Sequence, residues 1–175
     1  MAIEQDRTLA ALQVAIKMEV DGKEYYLKAN HESSSELGKK LLQSLAAEED
    51  VHRRKFEEIY NALRAKKFWS VTDFKPDGGK RLRTIFARAT EAMGSSAKTL
   101  DTELDAVNIA MGMENKTHDF YEGQSKNALY DAEREFYEIL AGEEREHYLI
   151  LADYYEYIKD PAGWFVMKEH RLDAG

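Results

Sequence analysis

Three observations on the 175-residue sequence predict an all-α fold, a four-helix bundle of two helical hairpins joined by one long crossover. Apolar residues recur at steps of three and four along long stretches, the spacing of a helix face turned to a core. Only 2 prolines interrupt the chain and almost nothing alternates as a strand would, which leaves helices to carry the fold. A shift of 95 residues then lays Glu144 and His147 over Glu49 and His52, Met113-Glu114 over Met18-Glu19, Tyr121 over Tyr26 and Tyr155 over Tyr60, without a gap. Ten of the 46 positions from 15 to 60 are identical to those from 110 to 155. Two copies of one hairpin imply a pseudo-twofold axis between them.

The first helix, over residues 3–30, has the seam Leu9, Leu12, Ile16, Glu19, Lys23 and Tyr26. Ser33, Ser34 and Ser35 supply a turn and an N-cap for a second helix that runs to about residue 66. Its seam is Leu42, Leu45, Glu49, His52, Phe56, Ile59 and Leu63. From 67 to 100 the periodicity fails around Pro76, Gly78-Gly79 and Gly94-Ser95-Ser96, with Leu82, Ile85, Phe86 and Ala89 marking at most a short helix. So long a connection needs a task, and crossing the bundle is one: a 30-residue helix is about 45 Å long, the distance the chain must cover before its next helix. The third helix, 101–124, carries Leu104, Val107, Met111, Glu114, His118 and Tyr121; the fourth, 127–158, carries Tyr137, Leu140, Glu144, His147, Leu151, Tyr154 and Ile158. Pro161 ends it, and the remainder, 161–175, is expected as a tail packed on the bundle, too interrupted by Pro161 and Gly163 to add a fifth bundle helix. Two short turns and one long crossover make residues 1–160 a bundle of the ferritin-like kind.

Composition removes several functions. A formal charge of -8 speaks against a nucleic-acid partner, which calls for a clustered basic surface. With 0 cysteines there is no disulfide framework, thiolate zinc site or Cys-ligated iron centre, so metal chemistry must use Glu, Asp and His. The first residues lack the basic start and apolar core of a signal peptide, and no run nears the roughly 18 apolar residues of a membrane span. A cytoplasmic protein without membrane partners is the expectation.

Six residues, Glu19, Glu49, His52, Glu114, Glu144 and His147, interrupt otherwise apolar seams. Residues three apart share a helix face, so each Glu-x-x-His can grip one ion from a rigid support. Burying four carboxylates together without cations is severely unfavourable, and two divalent ions cancel that charge. A Glu from each of two helices and a Glu-x-x-His from each of the other two is the donor set of carboxylate-bridged dimetal bundles. Pseudo-symmetry assigns Glu19 and His52 to one metal, Glu114 and His147 to the other, and Glu49 and Glu144 to both, about 3.5 to 4 Å apart. No catalytic group beyond these ligands is expected. Tyr26 and Tyr121, two turns beyond Glu19 and Glu114, either hydrogen-bond the ligating carboxylates or pack as core aromatics. His118 reads as a satisfied core histidine, with an additional ligand or proton donor beside the site as the alternative. Lys23 is expected to reach the surface, Met18 and Met113 to pack, and Glu48 and Glu143 to be solvated or structural.

Through Met18-Glu19, Glu48-Glu49-Asp50-Val51-His52, Met113-Glu114 and Glu143-Glu144-Arg145-Glu146-His147, residues 8–159 resemble the rubrerythrin-like, cysteine-free diiron proteins of the ferritin-like superfamily. The resemblance implies two iron ions, a reduced site that gives electrons to peroxide or dioxygen in defence against oxidative stress, and a homodimer. Where rubrerythrins carry an electron-supplying rubredoxin domain and an extra Glu, this chain has no cysteine and has Thr117. An external electron donor is therefore implied, and the six-residue set is closer to bacterioferritin ferroxidase centres. Three rivals stand beside the diiron oxidoreductase: a ferroxidase that stores or detoxifies iron, a dimanganese catalase using the same hard donors, and a metal-free structural bundle.

Overall fold

The computed structural model describes residues 2–65, 69, 74–94 and 101–173, among which there are six helices and no strand. They are α1 (Ala2–Glu32), α2 (Glu36–Arg64), α3 (Lys80–Met93), α4 (Asp101–Asn127), α5 (Asp131–Lys159) and α6 (Pro161–Asp173). The long helices α1, α2, α4 and α5 form the bundle, and the tightest pairings are the hairpins α1–α2 and α4–α5. Bonds from Gln13 to Tyr60, Lys23 to Asp50 and Asn30 to the Lys39 carbonyl set α1 antiparallel to α2. Tyr25 donates to the Ala106 carbonyl at 2.8 Å and sets α4 antiparallel to α1.

Local chemistry fixes the ends. Ser35 caps α2, its Oγ accepting the Gly38 N–H at 3.0 Å. Gly38 is required there, since a Cβ would collide with the Tyr154 hydroxyl and the Glu103 carboxylate. That carboxylate accepts from Ser33 at 2.6 Å, Ser34 at 3.1 Å and Tyr154 at 2.6 Å, which ties the α1–α2 turn to α4 and α5. The α4–α5 turn lies later than the sequence suggests, because α4 runs on to Asn127. The Asn127 side chain closes α4 on the Gly123 carbonyl at 2.7 Å, and Glu133 of α5 reaches back to the Leu129 N–H at 3.0 Å, so 128–130 alone lie between.

Two apolar clusters flank the middle of the bundle. Leu12, Ala15, Phe56, Ile59, Tyr121, Tyr137 and Leu140 gather toward one end; Tyr26, Leu42, Leu45, Val107, Ala110, Leu151 and Tyr154 toward the other. The 95-residue shift exchanges the two sets, so the pseudo-twofold runs across the bundle between them. The crossover residues 66–68, 70–73 and 95–100 lie outside the described ones, including Ser95 and Ser96 of the expected glycine-serine break. Within the crossover α3 buries Leu82, Phe86 and Thr90, mainly against α2, on the face that Leu82 and Phe86 announced.

The tail departs from the sequence reading. Pro161 does end α5, but it also opens α6, because a proline at the first helical position sacrifices an N–H that has no partner anyway. Asp160 caps the new helix by accepting the Gly163 N–H at 3.0 Å. Trp164 then lies 5.5 Å from both Phe86 and Tyr157, holding α6 against α3 and α5.

Candidate metal centre

Glu19, Glu49, His52, Glu114, Glu144 and His147 meet between the two clusters, none more than 3% exposed. α1 and α4 each contribute one carboxylate, and α2 and α5 each contribute a carboxylate and an imidazole one turn apart. Leu45 and Phe56 on α2, and Leu140 and Leu151 on α5, pack above and below these pairs, and it is their burial that carries the polar groups inside.

The donor atoms form two groups that share members. Glu19, Glu49, His52 and Glu144 each offer an atom within 4.8 Å of the other three, and so do Glu49, Glu114, Glu144 and His147. His52 Nδ1 is 3.3 Å from Glu144, 3.5 Å from Glu19 and 3.9 Å from Glu49. His147 Nδ1 is 3.2 Å from Glu49, 3.6 Å from Glu144 and 3.7 Å from Glu114. Despite that proximity, Glu19 Oε2, Glu49 Oε1, His52 Nδ1, Glu144 Oε1 and His147 Nδ1 are buried without a hydrogen-bond partner. They converge on common points rather than on one another. Buried polar atoms are almost always satisfied, so five orphans in one layer fit a site built for cations.

Protonation carries the same strain. Burial, followed by the charge of neighbouring carboxylates, pushes Glu49 far up and Glu114 to about 8. Burial also opposes ionisation of Glu144, but His147 and His52 outweigh it and hold this carboxyl below its usual range. Desolvation resists charge on the imidazoles, yet the acidic surroundings raise His52 to about 10 and His147 well above 6.5. Without cations the cluster keeps itself tolerable by retaining protons.

Around this layer the tyrosines bond two of the carboxylates. Tyr26 of α1 donates to Glu114 of α4, and Tyr121 of α4 donates to Glu19 of α1. The crossing is reciprocal, as the repeat requires, and both rings are fully buried as well. Glu48 is not merely solvated: its Oε2 lies 3.0 Å from His147 Nε2, on the side of the ring away from the site. The available signal was its position one turn before His52 on the buried side of α2, repeated by Glu143. Phe74, from the crossover, meets the His52 ring edge-on at 5.6 Å; nothing in the helical periodicity marks it.

Other sequence candidates fall outside. His118 is partly exposed and bonds Asp119 at 3.1 Å. It is neither the core histidine expected nor a group touching the ligands. Lys23 pairs with Asp50 at 2.7 Å near the surface. Thr117 turns back to the Met113 carbonyl at 3.1 Å.

A family model described as rubrerythrin matches residues 10–155. A solved structure of a hypothetical protein from Pyrococcus furiosus has a TM-score of 0.63 and 22% identity, over 85% of this chain and 87% of that one, a likeness that speaks for the fold alone. No curated protein matches the chain.

Proposed function

The chain belongs to the rubrerythrin family, and on that basis we propose that it is a non-haem diiron oxidoreductase acting on peroxide or dioxygen. The observation that carries this reading is the pair of four-residue donor groups sharing Glu49 and Glu144. Glu19 and His52 would hold one iron, Glu114 and His147 the second, and the shared carboxylates both. Bound iron supplies one electron per ion to the oxidant. The chain's own part is to hold the donors in place and keep water out. Tyr26 and Tyr121 fix one oxygen each of Glu114 and Glu19 by donating a hydrogen bond, leaving the other oxygen for a cation. Glu48 accepts from the outer nitrogen of His147, leaving the inner nitrogen for a cation. The apolar clusters on either side give the layer a low-dielectric setting in which charge interactions are strong.

Electrons are assigned to an external donor. Among the described residues no helix is long and apolar enough to cross a membrane, and the reading places the protein in the cytoplasm as a homodimer. Manganese suits the same oxygen and nitrogen donors, and metal analysis of protein purified without added metal distinguishes the dimanganese reading. A second reading, ferroxidation coupled to iron storage, gains from α6, because the tail is helical after all. Solution mass separates them, a dimer supporting the oxidoreductase and a shell of many subunits the store.

The direct test is anaerobic loading with ferrous iron, followed by a small excess of peroxide or, separately, dioxygen. The reading expects two irons per chain and a rise in near-ultraviolet absorbance, faster with the physiological oxidant. Fewer than about one iron per chain, unaffected by Glu49→Ala and Glu144→Ala, would reduce the repeat to architecture.

A further inference from the structure

The repeat that equates Glu48 with Glu143 also equates His147 with His52, so a symmetric site would bond Glu143 to His52 as Glu48 is bonded to His147. Only one of the two bonds is present. His147 Nε2 lies 3.0 Å from Glu48 Oε2, while its Nδ1 points into the site, 3.2 Å from Glu49 Oε1. His52 likewise turns Nδ1 inward, but no hydrogen bond joins its Nε2 to any described residue. Glu143, 6% exposed, makes none either. The contact the crossover makes with the His52 ring is instead that of Phe74, at 89° to the imidazole. The two imidazoles are otherwise alike: both buried, nearly parallel at 15°, and 5.7 Å apart.

An acceptor on the outer nitrogen matters to a ligating imidazole in two ways. It fixes the tautomer that leaves the inner nitrogen free to donate, and it draws on the outer N–H so that the ring donates more strongly. A phenyl ring restrains the plane of its neighbour but takes no proton. We infer that the two halves of the centre bind divalent metal unequally, the Glu114–His147 half filling before the Glu19–His52 half, with Glu48 as the positioning residue that sets this order. The inference rests on the dimetal reading above and adds a loading order to it. Its physical origin is the crossover, which lies outside the repeat, sets Phe74 against one imidazole and leaves the other to Glu48.

Zinc, which is diamagnetic and redox-inert, is a suitable probe for titrating the metal-free protein by calorimetry and by nitrogen-15 NMR of the imidazoles. The expected result is two binding steps separated by about tenfold or more, with the His147 signals moving over the first equivalent and the His52 signals over the second. Glu48→Ala weakens the first step by about 10- to 100-fold and leaves the second in place. Glu48→Gln, whose amide oxygen can still accept the N–H, restores part of the loss. Glu143→Ala leaves the order of filling unchanged. Far-ultraviolet circular dichroism of each variant confirms the helices, and Glu48, 18% exposed on its helix, is a position that alanine tolerates. Two zinc ions bound with equal affinity, His52 filling first, or equal effects of Glu48→Ala and Glu143→Ala on both steps would overturn the inference while leaving the dimetal reading intact. Absence of zinc binding would overturn both.

Discussion

The ligand layer and the shell around it obey different rules. Inside, α1–α2 and α4–α5 each present two glutamates and a histidine to the same points, and even the tyrosine bonds cross reciprocally, Tyr26 to Glu114 and Tyr121 to Glu19. Outside, His147 rests on Glu48 and His52 on Phe74. The inner arrangement belongs to the repeat; the outer one depends on which hairpin the crossover covers. Duplication can supply a symmetric set of donors, but two metals need not then be equivalent.

The largest expected effects fall on what both halves share. Metal at about a thousandfold excess over its Kd should stabilise the protein by about 4 kcal/mol, and Glu49→Gln or Glu144→Gln should abolish most of that gain in thermal unfolding. Because Glu49 sits far above its usual range through burial and like charge, Glu49→Gln should not destabilise the metal-free protein. A variant that keeps the full metal-induced gain would break the view that these carboxylates serve both halves.

Next come the tyrosines, where the comparison predicts equality. Tyr26→Phe and Tyr121→Phe each remove a hydrogen bond to a buried carboxylate, expected to cost about 1.5–3 kcal/mol of stability by urea titration. Costs differing by more than the spread of such measurements would show that the asymmetry reaches the inner layer.

The pH dependence of the metal-free fold should have a definite sign. His52, raised from 6.5 to about 10, and Glu114, raised from 4.5 to about 8, both bind protons more tightly folded than unfolded. Stability therefore falls as pH rises, through 4.5 to 8 for Glu114 and 6.5 to 10 for His52. The melting temperature of the metal-free protein should be lower at pH 9 than at pH 6. The metal-loaded protein should show the opposite trend over the acidic part of that range, since binding releases those protons. A metal-free melting temperature that rises with pH would contradict the protonated cluster.

Smallest is the effect of His118→Ala, within about 0.5 kcal/mol and without consequence for metal binding, as suits a ring paired with Asp119 at the surface. A loss of metal affinity in this variant would return His118 to the site.

The bundle and the gathering of the six residues in one buried layer are legible in the sequence because heptad spacing decides both burial and which residues face each other, and the repeat makes Glu19, Glu49, His52 and their counterparts visible as a set. α6 was missed because Pro161 was read only as a stop, whereas Asp160-Pro161 is also a start. Glu48 was undervalued because its partner, His147, belongs to the other hairpin, and no spacing within one helix reports a contact between two. Phe74 lies in irregular chain, where periodicity carries no information about contacts. A place in a heptad seam suggests burial for His118, yet its ring is partly exposed and paired with Asp119.

Crystals soaked in ferrous iron under anaerobic conditions and measured at the iron edge would address the centre most directly. Two anomalous peaks per chain are predicted, about 3.5 to 4 Å apart, one within reach of Glu19 and His52, the other within reach of Glu114 and His147, with Glu49 and Glu144 between them. A single peak, or peaks away from these side chains, would contradict the shared-carboxylate centre.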